Sequence, residues 1–280
     1  MTPQCFDFFS KFLHQNSGLS LQKEKEYLLE NRLDAVLKKH KIGSFEDLMK
    51  VVSKENNGPV GLDVIDCMSV TETSFFRDRK PFDLLVDTML PEIISNRPVT
   101  QPIRIWSAAA SSGQEAYTIA MLCKDNASLL AGRRVEIHAT DISETVLAKA
   151  KSGLYSQFEV QRGLPTDMML RYFEQVGEMW TLTPEIKSMV KFRQFNLMHP
   201  FTSMPKFDII FCRNVLIYFD IDTKSKVFTK LHSVMADDGY LLLGGAETTM
   251  GLSQDLRADA DHRTLFRSSK YSPQKKALSA

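Results

Sequence analysis

The spacing of apolar residues changes character partway along the chain. Before about residue 72 it is helical throughout. Leu29, Leu33, Val36 and Leu37 fall at i, i+4, i+7 and i+8, which predicts one buried face of an amphipathic helix. Ser44 ahead of Phe-Glu-Asp47 predicts the N-cap of the next helix. The run Asn56-Asn-Gly-Pro59 predicts a break, and a further helix is expected over 62–69. From Ile103 onward, short apolar runs alternate with helical stretches. Strands are expected over 103–107, 135–140, 190–195, 207–212 and 240–243, and helices over 115–123, 144–151 and 223–235, the last closed by Gly239. That alternation predicts a mostly parallel, doubly wound α/β sheet, whose ligands lie at the carboxyl ends of the strands. Two runs around Gly177-Glu178, 172–176 and 179–183, predict a β-hairpin inserted between the second and third strands. No internal repeat is evident. The expected organisation is a helical domain over 1–72, an α/β domain over 73–268 with a β-subdomain inserted at about 158–189, and a polar, disordered tail over 269–280.

Composition narrows the function classes. Of 280 residues, 43% are hydrophobic and 25% charged, which excludes a mostly disordered chain. Thirty-five basic residues against 34 acidic ones give +1, so no global charge points to nucleic acid or a membrane surface. Cys5, Cys67, Cys123 and Cys212 form no C-x-x-C pair, so neither a metal site nor a disulfide framework is expected. The start, MTPQCFDFFSKF, lacks a secretory pattern, and no apolar run approaches the ~20 residues of a membrane helix. A cytoplasmic protein with reduced thiols is expected. Beside the apolar face of the second helical run, Lys25, Arg32 and Lys39 are seven residues apart and nearly in line, with Lys38, His40 and Lys41 extending the basic region. On composition alone this is a solvated edge.

The candidate chemistry lies at the strand ends. After the first strand, Ala108-Ala-Ala-Ser-Ser-Gly113 offers only small side chains, so a ligand could approach the backbone closely; a tight structural turn reads the same way. Glu115 follows, where a carboxylate repels pyrophosphate but can hold an ammonium group. The second strand ends at Asp141, the position that binds ribose hydroxyls in dinucleotide folds; the alternative, a helix N-cap, is better filled by Ser143. Asn196 and Arg213-Asn214 end two further strands. Together these residues describe a pocket for a nucleoside with a cationic tail, and S-adenosylmethionine fits that description.

Four segments carry a family resemblance: Thr71-Glu-Thr-Ser-Phe-Phe-Arg-Asp78, Trp106-Ser-Ala-Ala-Ala-Ser-Ser-Gly-Gln-Glu-Ala-Tyr117, Ala139-Thr-Asp-Ile142 and Phe211-Cys-Arg-Asn-Val-Leu-Ile-Tyr-Phe219. In this order the chain resembles the chemotaxis receptor methyltransferases, the CheR family, from its start to about Arg267. The resemblance implies a class I, Rossmann-like methyltransferase domain behind a receptor-docking helical domain. It also implies methyl transfer from S-adenosylmethionine to glutamates on cytoplasmic helices of methyl-accepting chemotaxis receptors. Carried over by position, the cofactor contacts would be Thr71, Thr73, Arg77, Glu115, Asp141, Asn196, Leu197, Asn214 and Val215, with Thr71 standing where the family often has Asn. Phe75 and Phe76 read as packing residues.

Glutamate, with a pKa near ~4.3, is already ionised at neutral pH, so methyl transfer to it needs no general base. Arg77 and Tyr218 are the candidate catalytic residues, one orienting the carboxylate and the other hydrogen-bonding near the methyl group. An acidic receptor helix would suit the basic residues Lys25, Arg32 and Lys39 as docking contacts. The expected protein is a monomer recruited to membrane receptor arrays without inserting. Family members that bind a receptor C-terminal pentapeptide have a longer, glycine-containing loop in the inserted hairpin; Gly177-Glu178 leaves little room for one, so tether-independent action is expected. A small-molecule methyltransferase or dehydrogenase on the same fold, and a regulator that binds the cofactor without turnover, are the other readings.

Overall fold

In the computed structural model, the structure describes residues 1–55 and 58–271. Four helices build the N-terminal region: α1 (Pro3–Ser17), α2 (Glu26–His40), α3 (Phe45–Lys54) and α4 (Pro59–Met68). The Ser44 cap is as expected, the Thr2 cap was not read from sequence, and α4 starts at Pro59, three residues ahead of the expected 62. Thr2 accepts from the Cys5 N–H at the start of α1, Ser44 accepts from Asp47 N–H at the start of α3, and Pro59 opens α4. Of the expected break at 56–59, residues 56 and 57 lie outside the described residues. Leu29, Leu33 and Val36 face inward from α2 onto Phe9, Leu13, Leu48, Val52 and Val64, all buried, giving this region its own apolar core.

Among the described residues the second part carries ten strands: β1 (Ile103–Ala108), β2 (Val135–Asp141), β3 (Leu154–Ser156), β4 (Phe173–Val176), β5 (Met179–Leu182), β6 (Val190–Gln194), β7 (Phe207–Cys212), β8 (Met235–Leu243), β9 (Leu256–Ala258) and β10 (Leu265–Ser268). The main sheet runs β6-β2-β1-β7-β8-β10-β9, with parallel pairing from β6 to β8. Both faces are covered, so β7 is buried along its whole length and reads as one apolar run. Its alternate residues feed two cores: Ile209 and Phe211 on one face, Ile210 and Cys212 on the other. Strand order reverses at β1, with β2 on one side and β7 on the other, and the crevice above that switch point is where a ligand fits.

Four features differ from the expectation. Gly239 does not close a helix. The helix ends at Val234, Met235 is already extended, and Gly239 lies inside β8, where a Cβ would sit 2.9 Å from the Ala236 carbonyl oxygen and 3.0 Å from that of Asp208. The strands β10, antiparallel to β8, and β9, antiparallel to β10 at the sheet edge, were not legible as strands because each is only three or four residues long. The inserted hairpin has the expected two-residue turn, with Val176 opposite Met179, but β3 joins it as a third strand and starts ahead of residue 158. The expected disordered tail begins too early. Ser269 N–H donates to the Asp255 carbonyl, the Tyr271 hydroxyl donates to Glu92, and the Arg267 guanidinium lies 3.8 Å from the Tyr240 ring centre and 4.6 Å from that of Tyr271. The rest of that tail, 272–280, lies outside the described residues. Among the described residues no helix is long and apolar enough to cross a membrane.

Candidate functional site

A cleft of about 1040 Å³, open to solvent, lies over the ends of β1, β2, β6 and β7. Eight of the nine cofactor residues expected from sequence line it: Thr73, Arg77, Glu115, Asp141, Asn196, Leu197, Asn214 and Val215. Tyr218 lines it too. Thr71 does not, but its carbonyl accepts from the Ser111 hydroxyl at 2.7 Å and so anchors the loop after β1.

That loop is small and tightly wound. Ala109, Ser111 and Gly113 have φ of 56°, 50° and 94°, and a Cβ on Gly113 would stand 3.0 Å from Ala150. Asp141 fixes the loop from the neighbouring strand end. One of its oxygens accepts Ser111 N–H at 2.8 Å and the other Ser143 N–H at 3.0 Å, while the Ser143 hydroxyl caps the following helix through Val146 N–H. Burial holds the Asp141 carboxyl above the ordinary Asp range, against the lowering effect of these backbone N–H groups. Each carboxylate oxygen has room for a further donor, so a ligand hydroxyl can be added.

Glu115 is not alone. It accepts from the Ser107 hydroxyl at 2.7 Å and from Arg213 at 2.9 Å. Arg213, whose side chain is almost wholly buried, also reaches the Asp78 carboxylate at 2.6 Å and the Arg77 carbonyl at 2.9 Å. It thereby holds the segment Phe76–Arg79, in which Phe76, Asp78 and Arg79 have φ of 50°, 66° and 47°. One guanidinium against two carboxylates leaves this cluster with net negative charge, which suits an ammonium or sulfonium group. Arg77 itself donates to the Glu72 carbonyl at 2.9 Å and has further N–H groups for the cleft. Phe75 and Phe76 pack as expected: Phe75 is fully buried, edge-on to Tyr155 and Phe173, and Phe76 meets Phe82.

Two contributions were missed from sequence. Glu247, buried beyond β8, accepts the N–H groups of Asn214 (2.8 Å), Val215 (3.1 Å), Leu216 (2.7 Å) and Gly244 (2.6 Å). It sets the left-handed Asn214 (φ 58°) and, through the turn Leu216–Tyr218, the position of Tyr218. A Cβ on Gly244 would fall 2.8 Å from a Glu247 oxygen, so the glycine is required for this close approach. The second missed contribution is a whole wall. Ser17, Leu19, Ile65, Met68, Ser69 and Val70 of the helical region line the cleft. The seam is hydrogen-bonded: Asn196 donates to the Asn16 carbonyl at 2.6 Å, Ser20 N–H donates to the Tyr218 carbonyl at 2.9 Å, and His14 pairs with Asp220. Nothing local in the sequence signals either a carboxylate caging distant N–H groups or a wall made by tertiary docking.

The basic stripe on α2 behaves differently. Arg32 turns inward and donates to the Cys67 and Ser69 carbonyls at 3.2 and 3.1 Å, capping the end of α4. Lys39 and His40 share the Asp63 carboxylate. Lys25 is exposed with no carboxylate partner among the described residues. Among the described residues no cluster of His, Cys, Asp and Glu is arranged to hold a metal.

The comparisons agree with this geometry. Residues 71–263 match the SAM binding domain of CheR methyltransferase, and residues 4–60 match its all-alpha domain. The chain is 39% identical to the chemotaxis protein methyltransferase Cher2 of Pseudomonas putida, over 88% of this chain and 91% of that protein. It is 41% identical to the chemotaxis protein methyltransferase of Vibrio parahaemolyticus, over 90% and 92% of the two chains. With chemotaxis protein methyltransferase 1 of Pseudomonas aeruginosa it shares 38% identity, over 88% and 91%. A two-domain match over most of the chain, with the motif residues gathered around one cleft, makes this protein a member of the CheR family of S-adenosylmethionine-dependent chemotaxis methyltransferases.

Proposed function

We propose that the protein methylates glutamate side chains of membrane-bound methyl-accepting chemotaxis receptors, giving glutamate methyl esters and S-adenosylhomocysteine. The observation that carries this reading is the convergence of eight family-matched residues and Tyr218 on one cleft. The cleft's donors and charges suit the cofactor. Asp141 can accept from ribose hydroxyls, the small loop 109–111 admits close approach, and the Glu115–Arg213–Asp78 cluster has negative charge to spare for the amino-acid tail. Thr73, Asn196, Leu197, Asn214 and Val215 complete the lining, and Thr71 acts through its carbonyl. When bound, S-adenosylmethionine supplies an electrophilic methyl group on a sulfonium.

The rest is done by side chains. The acceptor carboxylate arrives ionised, so the site has no proton to remove. Arg77 orients that carboxylate, and its tie to the Glu72 carbonyl restrains it from swinging. The Tyr218 hydroxyl, with no partner among the described residues, is free to donate beside the transferring methyl. The helical region's wall closes one side of the cleft, so a seated acceptor helix would complete the removal of water from the carboxylate and raise its reactivity. Lys25, Arg32 and Lys39 mark the side from which an acidic receptor helix approaches, with Lys25 and Lys39 presenting exposed ammonium groups. The enzyme works as a cytoplasmic monomer at receptor arrays. The inserted sheet, with only Gly177-Glu178 between β4 and β5, does not need a receptor tail peptide.

Receptor-enriched membranes incubated with methyl-labelled S-adenosylmethionine test this reading. Label that enters the receptor band and is released as methanol by mild base supports it. Base-stable label, or none, contradicts it.

A further inference from the structure

Two loops meet at the cleft: the segment 72–79, which carries Arg77, and the turn 108–113 after β1. Arg213 holds the first of them at the Arg77 carbonyl and the Asp78 carboxylate. Its other half is held by the inserted subdomain. Phe75 is fully buried and stands edge-on to Tyr155 of β3 and Phe173 of β4, with ring centres 5.1 and 5.6 Å apart. Arg162 donates to the Glu72 carboxylate at 2.6 Å, and the Glu72 carbonyl is the group to which Arg77 donates. Gly163, with φ of 92°, lies so near this segment that a Cβ would collide with the Phe75 carbonyl oxygen.

The same subdomain reaches the second loop. The Tyr155 hydroxyl donates to the Ser112 carbonyl at 2.7 Å, and its ring is edge-on to Tyr117 in the helix Gln114–Asp125 that follows. One fully buried side chain therefore touches both loops, its ring on Phe75 and its hydroxyl on Ser112. The mounting is stiff. Ser156 and Glu159 form a capping box that opens the short helix Gln157–Gln161, and the end of that helix delivers Arg162 and Gly163. Both loops hold left-handed backbone, at Phe76, Asp78 and Arg79 in one and at Ala109 and Ser111 in the other, which persists only where surrounding contacts over-determine it. Filling space at position 155 would need only a phenylalanine. A phenol aimed at one loop carbonyl, and a glycine kept clear for another, fix geometry.

We propose that the inserted subdomain positions the methyl-transfer site: Tyr155 sets the turn 108–113 against the arginine segment, and Arg162 and Gly163 set where Arg77 stands. These are positioning residues, since none of the three lines the cleft. The Arg77 half rests on the glutamate reading above, whereas the Tyr155 half concerns the cofactor alone. The subdomain thus has work in this enzyme that involves no receptor peptide.

Full-length Tyr155→Phe, Gly163→Ala and Arg162→Ala test it, by calorimetry with S-adenosylhomocysteine and by methylation of receptor-enriched membranes. The calorimetric stoichiometry gives the folded fraction, by which each kcat is divided. Tyr155→Phe keeps the ring and removes the donor, so S-adenosylhomocysteine affinity is expected to fall about fivefold, with kcat at saturating cofactor within about twofold of wild type. Gly163→Ala pushes on the Phe75 carbonyl and is expected to show the reverse split: kcat lowered about tenfold, affinity within about threefold. Arg162→Ala breaks an exposed pair, so the same pattern is expected at about threefold, restored by Arg162→Lys. If Gly163→Ala yields no folded protein, Arg162→Ala and its rescue decide the Arg77 half. A purely structural subdomain would lower Tm and folded fraction yet leave the corrected kcat and the affinity at wild-type values, and that result overturns the proposal. Equal losses of kcat and affinity in every variant overturn it too. Wild-type protein that forms no base-labile ester would overturn the glutamate reading instead, with the Tyr155→Phe affinity still deciding the cofactor half.

Discussion

The strand-end cleft and the α2 face are both lined by residues that stand out in the sequence, yet they fold into different kinds of surface. At the cleft, Glu115, Asp141, Asn196, Asn214 and Val215 come together because β1, β2, β6 and β7 deliver their carboxyl ends to one edge, and Arg213 ties the segment around Arg77 to the same edge. Function there follows from topology, and polar groups are held by other parts of the same edge: the Asp141 carboxylate by Ser111 and Ser143 N–H, the Glu115 carboxylate by Arg213, and the Asn214 backbone N–H by Glu247. On α2, Lys25, Arg32 and Lys39 are aligned by helical period alone. Period fixes a direction but not a partner, and α4 supplies partners for two of the three. Collinear charge is thus weaker evidence of a binding surface than convergence from several elements.

The sharpest way to break this contrast is at Tyr218. If the cleft is preorganised for transfer, Tyr218→Phe lowers kcat for receptor methylation by about a hundredfold, the cost of losing one aimed donor. S-adenosylhomocysteine affinity, followed by calorimetry, stays within about threefold. Near-normal turnover would return Tyr218 to a packing role.

A smaller effect separates the stripe residues from one another. Lys39→Glu removes an exposed cation, so receptor methylation at low receptor concentration is expected to fall about threefold and wild-type rates to fall with added salt. Arg32→Glu is expected to do more to stability than to docking, because it leaves two helix-end carbonyls without a donor; a lowered Tm of about 4 °C is the expected reading. Equal effects of both variants on docking, with unchanged Tm, would make the stripe one binding surface after all.

The smallest expected signal is at the inserted sheet. Titrating the protein with a receptor tail peptide containing Trp and Phe is expected to give no calorimetric binding below about 100 μM, since the turn adds no loop beyond Gly177-Glu178. Tight binding would mean that the β4 edge accepts a strand without one.

The same contrast explains what could be read from the sequence. The parallel strands were legible because each is a short apolar run with a polar end, and the helices because of period and caps such as Ser44 and Ser143. Gly239 misled because glycine both ends helices and lets backbones approach closely, and here the Asp208 carbonyl decides. Glu247 and the Leu19–Val70 wall were hidden for a different reason. A carboxylate caging backbone N–H groups 31 to 33 residues away, and a wall made by docking one domain on another, leave no periodic trace.

The central claim is that the cleft holds the cofactor through Asp141, and S-adenosylhomocysteine calorimetry across pH tests it most directly. Only the ionised carboxylate can accept from both ribose hydroxyls while keeping Ser111 and Ser143 N–H. Burial raises the Asp141 pKa, so affinity is full above that value and falls as pH drops through it, starting at a higher pH than for an ordinary Asp. Asp141→Ala is expected to weaken binding by ~1–3 kcal/mol at neutral pH and to remove this acid-side loss. A folded Asp141→Ala protein with wild-type affinity and an unchanged pH profile would contradict the account.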